Sequence, residues 1–164
     1  MFEVLNFVYE NYWQGDACPE LPALQRKLRA VGFENTEIQE ALVWIEDLKL
    51  ATRQFPCMAE DDAMGLPKSM VAPSSHAVRL LSTAEQQHLD RDSWGFLIFL
   101  VSVGALSSGH LELVMERVMA TSLCPIGVDD IKLIVLMVFW SLGEEPEALV
   151  LDELCDNRTT RTGH

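Results

Sequence analysis

Basic residues are scarce in this sequence, which sets 12 Lys and Arg against 25 Asp and Glu for a formal net charge of −13. Such a charge argues against a general binder of polyanions. Paired cysteines are absent as well: Cys18, Cys57, Cys124 and Cys155 stand far apart, with no Cys-x-x-Cys spacing. The sequence therefore predicts neither a disulfide framework nor a zinc knuckle, and free thiols in a reducing cytoplasm fit it best.

Signals for export or membrane insertion are also lacking. The chain opens with Met1, Phe2 and acidic Glu3, whereas a secretory signal needs a basic start followed by a short apolar stretch. The longest apolar run, residues 131–142, is well short of the roughly 20 residues that span a bilayer. We therefore expect a cytoplasmic protein without a membrane anchor.

The chain has enough apolar residues to fold, because 49% of its 164 residues are hydrophobic. That content excludes a wholly disordered chain and allows one domain or two small ones. The apolar positions recur at spacings of three and four, which is typical of helices packed on one face. The sequence predicts a mainly α protein with at most one short pair of strands.

Residues 1–52 are predicted as an N-terminal three-helix unit, with Gly32 ending the second helix. Thr36 and Gln39 form a predicted capping box for the third helix. Val43 and Leu50 lie on the opposite side of that helix from its apolar stripe, where charge is usual, so we expect something else to cover them. The predicted buried stripe is Ile38, Ala41, Leu42, Ile45 and Leu48.

Residues 53–82 are predicted as a linker that carries three prolines and an acidic run. Residues 77–81 could form a short strand that pairs with residues 51–55. The linker also contains Met58, Met64 and Met70. Two interpretations stay open for it, a solvated connection and a methionine-rich docking segment for a partner.

Residues 83–155 are predicted as a C-terminal helical bundle, followed by a disordered tail at 156–164. Ser82 and Glu85 form a second capping box, opening a helix with apolar positions that include Leu89 and Val103. Residues 131–142 are apolar nearly all round, so neighbouring helices must surround them. We expect this all-apolar helix at the centre of the bundle.

Several of these segments resemble the bacterial Smg family of small proteins. The resemblance covers nearly the whole chain and rests on MFEVL at 1–5, GFLIFL at 95–100, LVMERVMA at 113–120 and IKLIVLMVF at 131–139. It is weakest from about residue 51 to residue 73. The resemblance implies a cytoplasmic bacterial protein and transfers no catalytic or binding residue to this chain.

Motifs for catalysis and metal binding are weak. The GLPKS segment at 65–69 has the wrong spacing for a phosphate loop, and its proline removes a backbone amide. The four histidines are scattered, and Cys57 and His76 could meet only if the linker folds back. Ser107 and Ser108 are typical of helix caps. We predict no catalytic residue, no metal ligand and no cofactor, and hence a protein that is not an enzyme.

Three neighbouring basic side chains stand out in this otherwise acidic chain: Arg26, Lys27 and Arg29. With the three-helix outline and a short wing, this group favours a winged-helix-like nucleic-acid-binding protein as the alternative function. The third helix argues against nucleic acid, because its charged positions are mostly acidic. Its acids are Glu37, Glu40, Glu46 and Asp47, against the single base Lys49.

Binding to another protein is the function that the sequence favours first. We expect a non-enzymatic adaptor or regulator whose unidentified partner is basic and drawn to the acidic surface. The pattern predicts no particular oligomeric state. The candidate interaction patch consists of Arg26, Lys27, Arg29, Val43 and Leu50.

Overall fold

A computed structural model describes residues 1–12, 20–60, 79–144, 146, 150 and 154, and for residues 55–60 it describes the backbone alone. Within these residues the chain forms seven helices and no strand, which confirms the prediction of a mainly α protein. Leu89 and Ile126 form one isolated parallel bridge. The helices are α1 (Phe2–Tyr12), α2 (Leu21–Val31), α3 (Asn35–Glu60), α4 (Thr83–His88), α5 (Arg91–Ser102), α6 (Ser108–Met119) and α7 (Val128–Leu142).

Helices α2 and α3 meet at a tight turn. Gly32 adopts a φ of 108°, and its amide donates to carbonyls of the last turn of α2, so this glycine ends the helix as predicted. All five residues of the predicted α3 stripe are buried. The predicted capping box at Thr36 is wrong, because α3 already begins at Asn35 and the Ile38 amide donates to the carbonyl of Glu34.

Helix α3 is longer than the sequence pattern indicates, since it continues to Glu60. Residues 51–55, expected as a strand, are therefore helical. Extending an existing helix is easy once it has nucleated, whereas an isolated strand pair buries little apolar surface. The described residues do not include Met64, Met70 or residues 77–78, and they do not include the side chain of Met58.

The segment after Ser82 forms two helices where one was expected. The capping box is confirmed: the Ser82 hydroxyl accepts from the Glu85 amide, and the Glu85 carboxylate accepts from the Ser82 amide. However, α4 ends at His88, and the Asp90 carboxylate caps a new helix by accepting from the Ser93 amide. Val103 follows the last residue of α5 as its C-cap and is exposed, so the prediction that it lies on the apolar face of the helix is wrong.

Helix α7 is central, as predicted. Residues 131–139 are all buried, and α7 packs against α1, α3, α5 and α6. Asp129 and Asp130 lie in its first turn, as expected for carboxylates near free helix amides. Helices on both sides of the predicted linker thus share one hydrophobic core, although the domain boundaries at 53 and 82 stay predictions.

Candidate functional site

A groove runs along the surface between α3 and α6. It is open to solvent and has a volume of about 640 Å³. We call it the α3–α6 groove and define it by Asp47, Leu50 and Gln54 of α3 with Glu112, Glu116 and Arg117 of α6. Leu113 and Ala51 add apolar surface to its wall. Helices α3 and α6 are in direct contact beneath it.

A second hollow continues along the same face of α3. It has a volume of about 390 Å³ and is lined by Val43, Trp44 and Asp47 of α3 together with Ala120 and other residues. Because Asp47 borders both cavities, this carboxylate stands between them. The two cavities therefore form one extended surface along α3.

Two aliphatic side chains on this surface are unusually exposed to solvent. Val43 is 56% exposed and Leu50 is 51% exposed. Residues seven apart lie on one face of a helix, and Asp47, four residues after Val43, shares that face. The surface thus presents two aliphatic side chains on either side of a carboxylate.

The charges around the α3–α6 groove are mostly held in ion pairs. The guanidinium of Arg79 donates to both carboxylate oxygens of Glu112 and to Glu85, and the bond to Glu112 is the main cause that raises the pKa of Arg79. The Arg117 Nη2 donates to Glu116 Oε1 over 2.8 Å. Asp47 is exposed at the groove, and no ion-pair partner for it is found among the described residues.

Arg117 is the most deeply buried charged group of the groove. Only 6% of the residue is exposed, and its Nε and Nη1 have no hydrogen-bond partner within the described part of the chain. Its main-chain carbonyl accepts from the Trp44 indole Nε1 over 3.1 Å. Arg117 therefore borders the groove with a guanidinium that is almost entirely buried.

The candidate patch predicted from the sequence is divided between two places. Val43 and Leu50 lie on the surface just described, whereas Arg26, Lys27 and Arg29 are exposed on α2 and line neither cavity. The basic side chains have local partners of their own. Arg29 Nε donates to Asn35 Oδ1 over 2.9 Å, and Lys27 Nζ lies 4.8 Å from the centroid of the Tyr12 ring.

Sequence reasoning missed Asp47, Glu116 and Arg117 as groove residues. One signal was present: Arg117 lies directly beside Val118, which belongs to the apolar stripe of its predicted helix. An arginine at the edge of a buried face either extends its charge to water or binds a partner. The sequence pattern alone does not show whether Arg117 reaches water or binds a partner, because this depends on how α3 packs against α6.

The weak catalytic motifs have structural roles where they are described. Ser107 caps α6 by accepting from the His110 amide over 3.1 Å, which confirms the helix-cap interpretation for this residue. The His110 ring lies 3.4 Å from Glu144 Oε2. Among the described residues no three His, Cys, Asp or Glu side chains cluster as metal ligands. The GLPKS segment, His76 and the Cys57 side chain lie outside the described residues.

No helix among the described residues is a candidate for membrane insertion. None of these helices is both long enough and apolar enough to cross a membrane.

Comparison with known proteins gives one family match and many relatives. A family model described as "Protein of unknown function (DUF494)" matches residues 1–164. A "Protein Smg homolog" of Methylibium petroleiphilum is 51% identical over 154 residues, covering 94% of this chain and 93% of its own. Proteins of the same description from Leptothrix cholodnii and Bordetella pertussis are 43% and 37% identical, with both chains covered completely. No solved structure matches this chain.

Proposed function

The chain belongs to the DUF494 family and is a relative of the bacterial Smg homologues, and we propose that it is a non-enzymatic cytoplasmic protein that binds another protein. The proposed binding surface is the α3–α6 groove with the adjoining Val43. The family membership confirms the resemblance to Smg proteins inferred from the sequence.

The observation that carries this proposal is the exposure of Val43 and Leu50 on either side of Asp47. Each aliphatic side chain is more than half exposed, in a chain that buries most of its other α3 hydrophobics. Covering apolar surface is favourable by about 25 cal/mol per Å². Apolar side chains that line a concave surface are typical of protein interaction sites.

The chemistry of the surface favours a basic, partly apolar partner segment. An aliphatic or aromatic side chain of the partner would cover Val43 or Leu50, and a lysine or arginine would pair with Asp47. The net charge of −13 attracts such a partner at long range. Binding of this kind weakens with added salt, because exposed charges are screened.

The ion pairs around the groove favour binding over catalysis. Glu112 is held by Arg79, and Glu116 is held by Arg117, so both carboxylates act as structural acceptors. General acid–base chemistry instead needs a carboxyl group poised to exchange a proton with a substrate. This arrangement supports the proposal that the protein is not an enzyme.

Nucleic-acid binding is the second candidate. The tight α2–α3 turn at Gly32 and the exposed basic side chains of α2 favour it, because a helix-turn-helix has this outline. The exposed face of α3 opposes it, since Glu40, Glu46 and Asp47 would lie near phosphates. The experiment below includes nucleic acid as a separate outcome.

Site-specific photo-crosslinking in bacterial cells tests the proposal. A benzoylphenylalanine is placed in the full chain at Val43, at Leu50, or at Phe99, which is equally exposed on α5 and serves as the matched control. We expect protease-sensitive adducts from the first two positions and none from the third. We also expect the same adducts to weaken when Asp47→Asn is added, and mass spectrometry to identify a basic crosslinked protein.

Two results would contradict the proposal. Equal adducts from all three positions, or none from Val43 and Leu50, would show that this surface is not a specific interface. Adducts that are digested by nuclease but resist protease would show that the surface binds nucleic acid instead of protein.

A further inference from the structure

We infer that the partner binds this surface with a single α-helix, which carries two apolar side chains seven residues apart and a lysine or arginine between them. This inference rests on the proposed function and adds the conformation and the sequence pattern of the bound segment. It follows from the direction of the α3–α6 groove, from the spacing of Val43 and Leu50, and from the charge of Asp47 between them.

The binding surface runs along α3 and α6 together. At the end that belongs to the α3–α6 groove its lining includes Gln54 and Gly109. At the end that belongs to the second hollow its lining includes Val43 and Ala120. Residues 43–54 and 109–120 therefore run antiparallel along the two walls, each over about 17 Å at the helical rise. A surface of this length accommodates about three turns of a helix that lies along α3.

The spacing of the two exposed aliphatic side chains matches a helix and not an extended strand. Val43 and Leu50 are seven residues apart, which places them about 10.5 Å apart along α3. In a second helix that lies along α3, side chains seven residues apart share one face at the same spacing. In a strand, side chains on one face recur about every 7 Å, so no two of them match this distance.

The backbone of the bound segment also favours a helix. A helix satisfies its own amides and carbonyls, whereas an added strand needs the free edge of a sheet. The described residues form no strand, so they offer no such edge. A polyproline segment binds to exposed aromatic rings. Trp44, the aromatic side chain of the second hollow, is only 3% exposed, and its indole already donates to Arg117.

The charges of the surface select a basic side chain in the middle of that helix. Asp47 lies four residues after Val43 and three before Leu50, on the same face of α3. A lysine or arginine three or four residues from both apolar side chains of the bound helix would lie against this carboxylate. On the opposite wall Arg117 is buried, whereas the side chain of Glu116 is 59% exposed. Both walls therefore present negative charge to the bound helix.

Peptide display against the full-length chain tests the inference. Random peptides of about 18 residues, or five helical turns, are selected on the parent protein, and their affinities are measured by fluorescence anisotropy. Peptides are retained when Val43→Gln and Leu50→Gln each weaken binding about tenfold and Val103→Gln does not. Val103 is the matched control, because it is 55% exposed against 56% for Val43 and lines neither cavity. Retained peptides are expected to carry the pattern stated above.

Two changes to the best peptide test its helical register. Exchanging the second apolar residue with the residue two positions before it turns this side chain to the opposite side of a helix and keeps the composition. A proline in the middle of the peptide breaks the helix. Each change should weaken binding about tenfold or more, and the parent peptide should gain helical circular dichroism when it binds. Because both changes are made in the peptide, the fold of the protein is untouched.

A double-mutant cycle tests the position of the basic side chain. Asp47→Asn should weaken binding of the best peptide about two- to fivefold and reduce its dependence on salt. The same variant should have little effect on a peptide whose central base is replaced by Gln, because the partner of Asp47 is then absent. Asp92→Asn is the control, since it changes the net charge equally at an exposed position on α5.

The outcomes distinguish the inference from the proposed function. Peptides that bind this surface, tolerate the proline and the exchange, and gain no helical signal would overturn the inference and leave the proposed function intact. An effect of Asp47→Asn no larger than that of Asp92→Asn would overturn the position of the basic side chain. A library in which no peptide distinguishes Val43→Gln and Leu50→Gln from Val103→Gln would overturn the proposed function and the inference with it.

Discussion

The indole Nε1 of Trp44 donates a hydrogen bond to the main-chain carbonyl of Arg117, 73 positions further along the chain, over 3.1 Å. This carbonyl lies in the last turn of α6, where helix geometry leaves it without an intrahelical donor. The amide of Thr121, which a longer helix would direct to it, donates to Val118. Trp44 therefore completes the end of α6 and joins the two walls of the groove.

We expect Trp44→Phe to lower the free energy of unfolding by about 1 to 3 kcal/mol, because it leaves a buried carbonyl without its donor. Urea denaturation followed by circular dichroism measures this. Trp94→Phe is the control, since that indole is only half buried on α5. A change no larger than that of the control would contradict the assigned role of the hydrogen bond.

Leu136 lies in the middle of α7 and is fully buried. Leu136→Ala should lower the free energy of unfolding by roughly 2 to 5 kcal/mol, the usual range for an aliphatic side chain removed from a core. Leu80→Ala, at a position that is 86% exposed, should change stability little. Thermal unfolding of both variants compares them, and equal melting temperatures would mean that α7 is not the centre of the core.

Stability should depend on pH through Glu85. Hydrogen bonds from the Arg79 side chain and the Ser82 amide lower the pKa of this carboxyl from its ordinary value of 4.5. A lowered folded-state pKa stabilises the fold above the unfolded-state pKa, and that contribution is lost as pH falls through the folded-state value. Glu85→Gln should therefore be less stable than the parent at neutral pH, with the difference shrinking below about pH 4.5.

Denaturant midpoints at a series of pH values measure this difference. Leu80→Ala, at an exposed position that carries no titratable group, is the control, and its difference from the parent should not depend on pH. A gap between parent and Glu85→Gln that stays constant into acid would show that the network around Arg79 does not hold this carboxylate in its charged form.

The basic group on α2 should support only weak nucleic-acid binding. Arg26, Lys27 and Arg29 could contribute about three phosphate contacts, whereas specific DNA-binding proteins often make 6 to 10. Since the net charge of −13 adds repulsion, we expect no duplex DNA binding tighter than about 10 μM at physiological salt. Titration of labelled DNA and structured RNA at two salt concentrations, with and without a triple change of these residues to Ala, measures it. Submicromolar binding that the triple change abolishes would favour the nucleic-acid function instead.

The sequence by itself determined the helical class and much of the core. The stripe that includes Ile38 and Leu48, the all-apolar segment around Leu136, and the helix signals at Ser82 and Gly32 all predict what the structure contains. These features are readable because they depend on neighbours within one or two helical turns. The same periodicity places Val43 and Leu50 on the face of α3 away from the stripe, but the expectation that something covers them is not met by the described residues, where both are more than half exposed.

The tertiary structure alone decided that the helix after Ser82 is divided in two, and where the groove lies. The break at Leu89 depends on Ile126, and the position of Arg117 depends on Trp44, in each case far away in sequence. The helical periodicity of a sequence shows which face of a segment is apolar, but it does not show which other helix covers that face. A groove is the gap left where two such faces meet, so its lining is fixed by how α3 packs against α6 and by no local pattern in either helix.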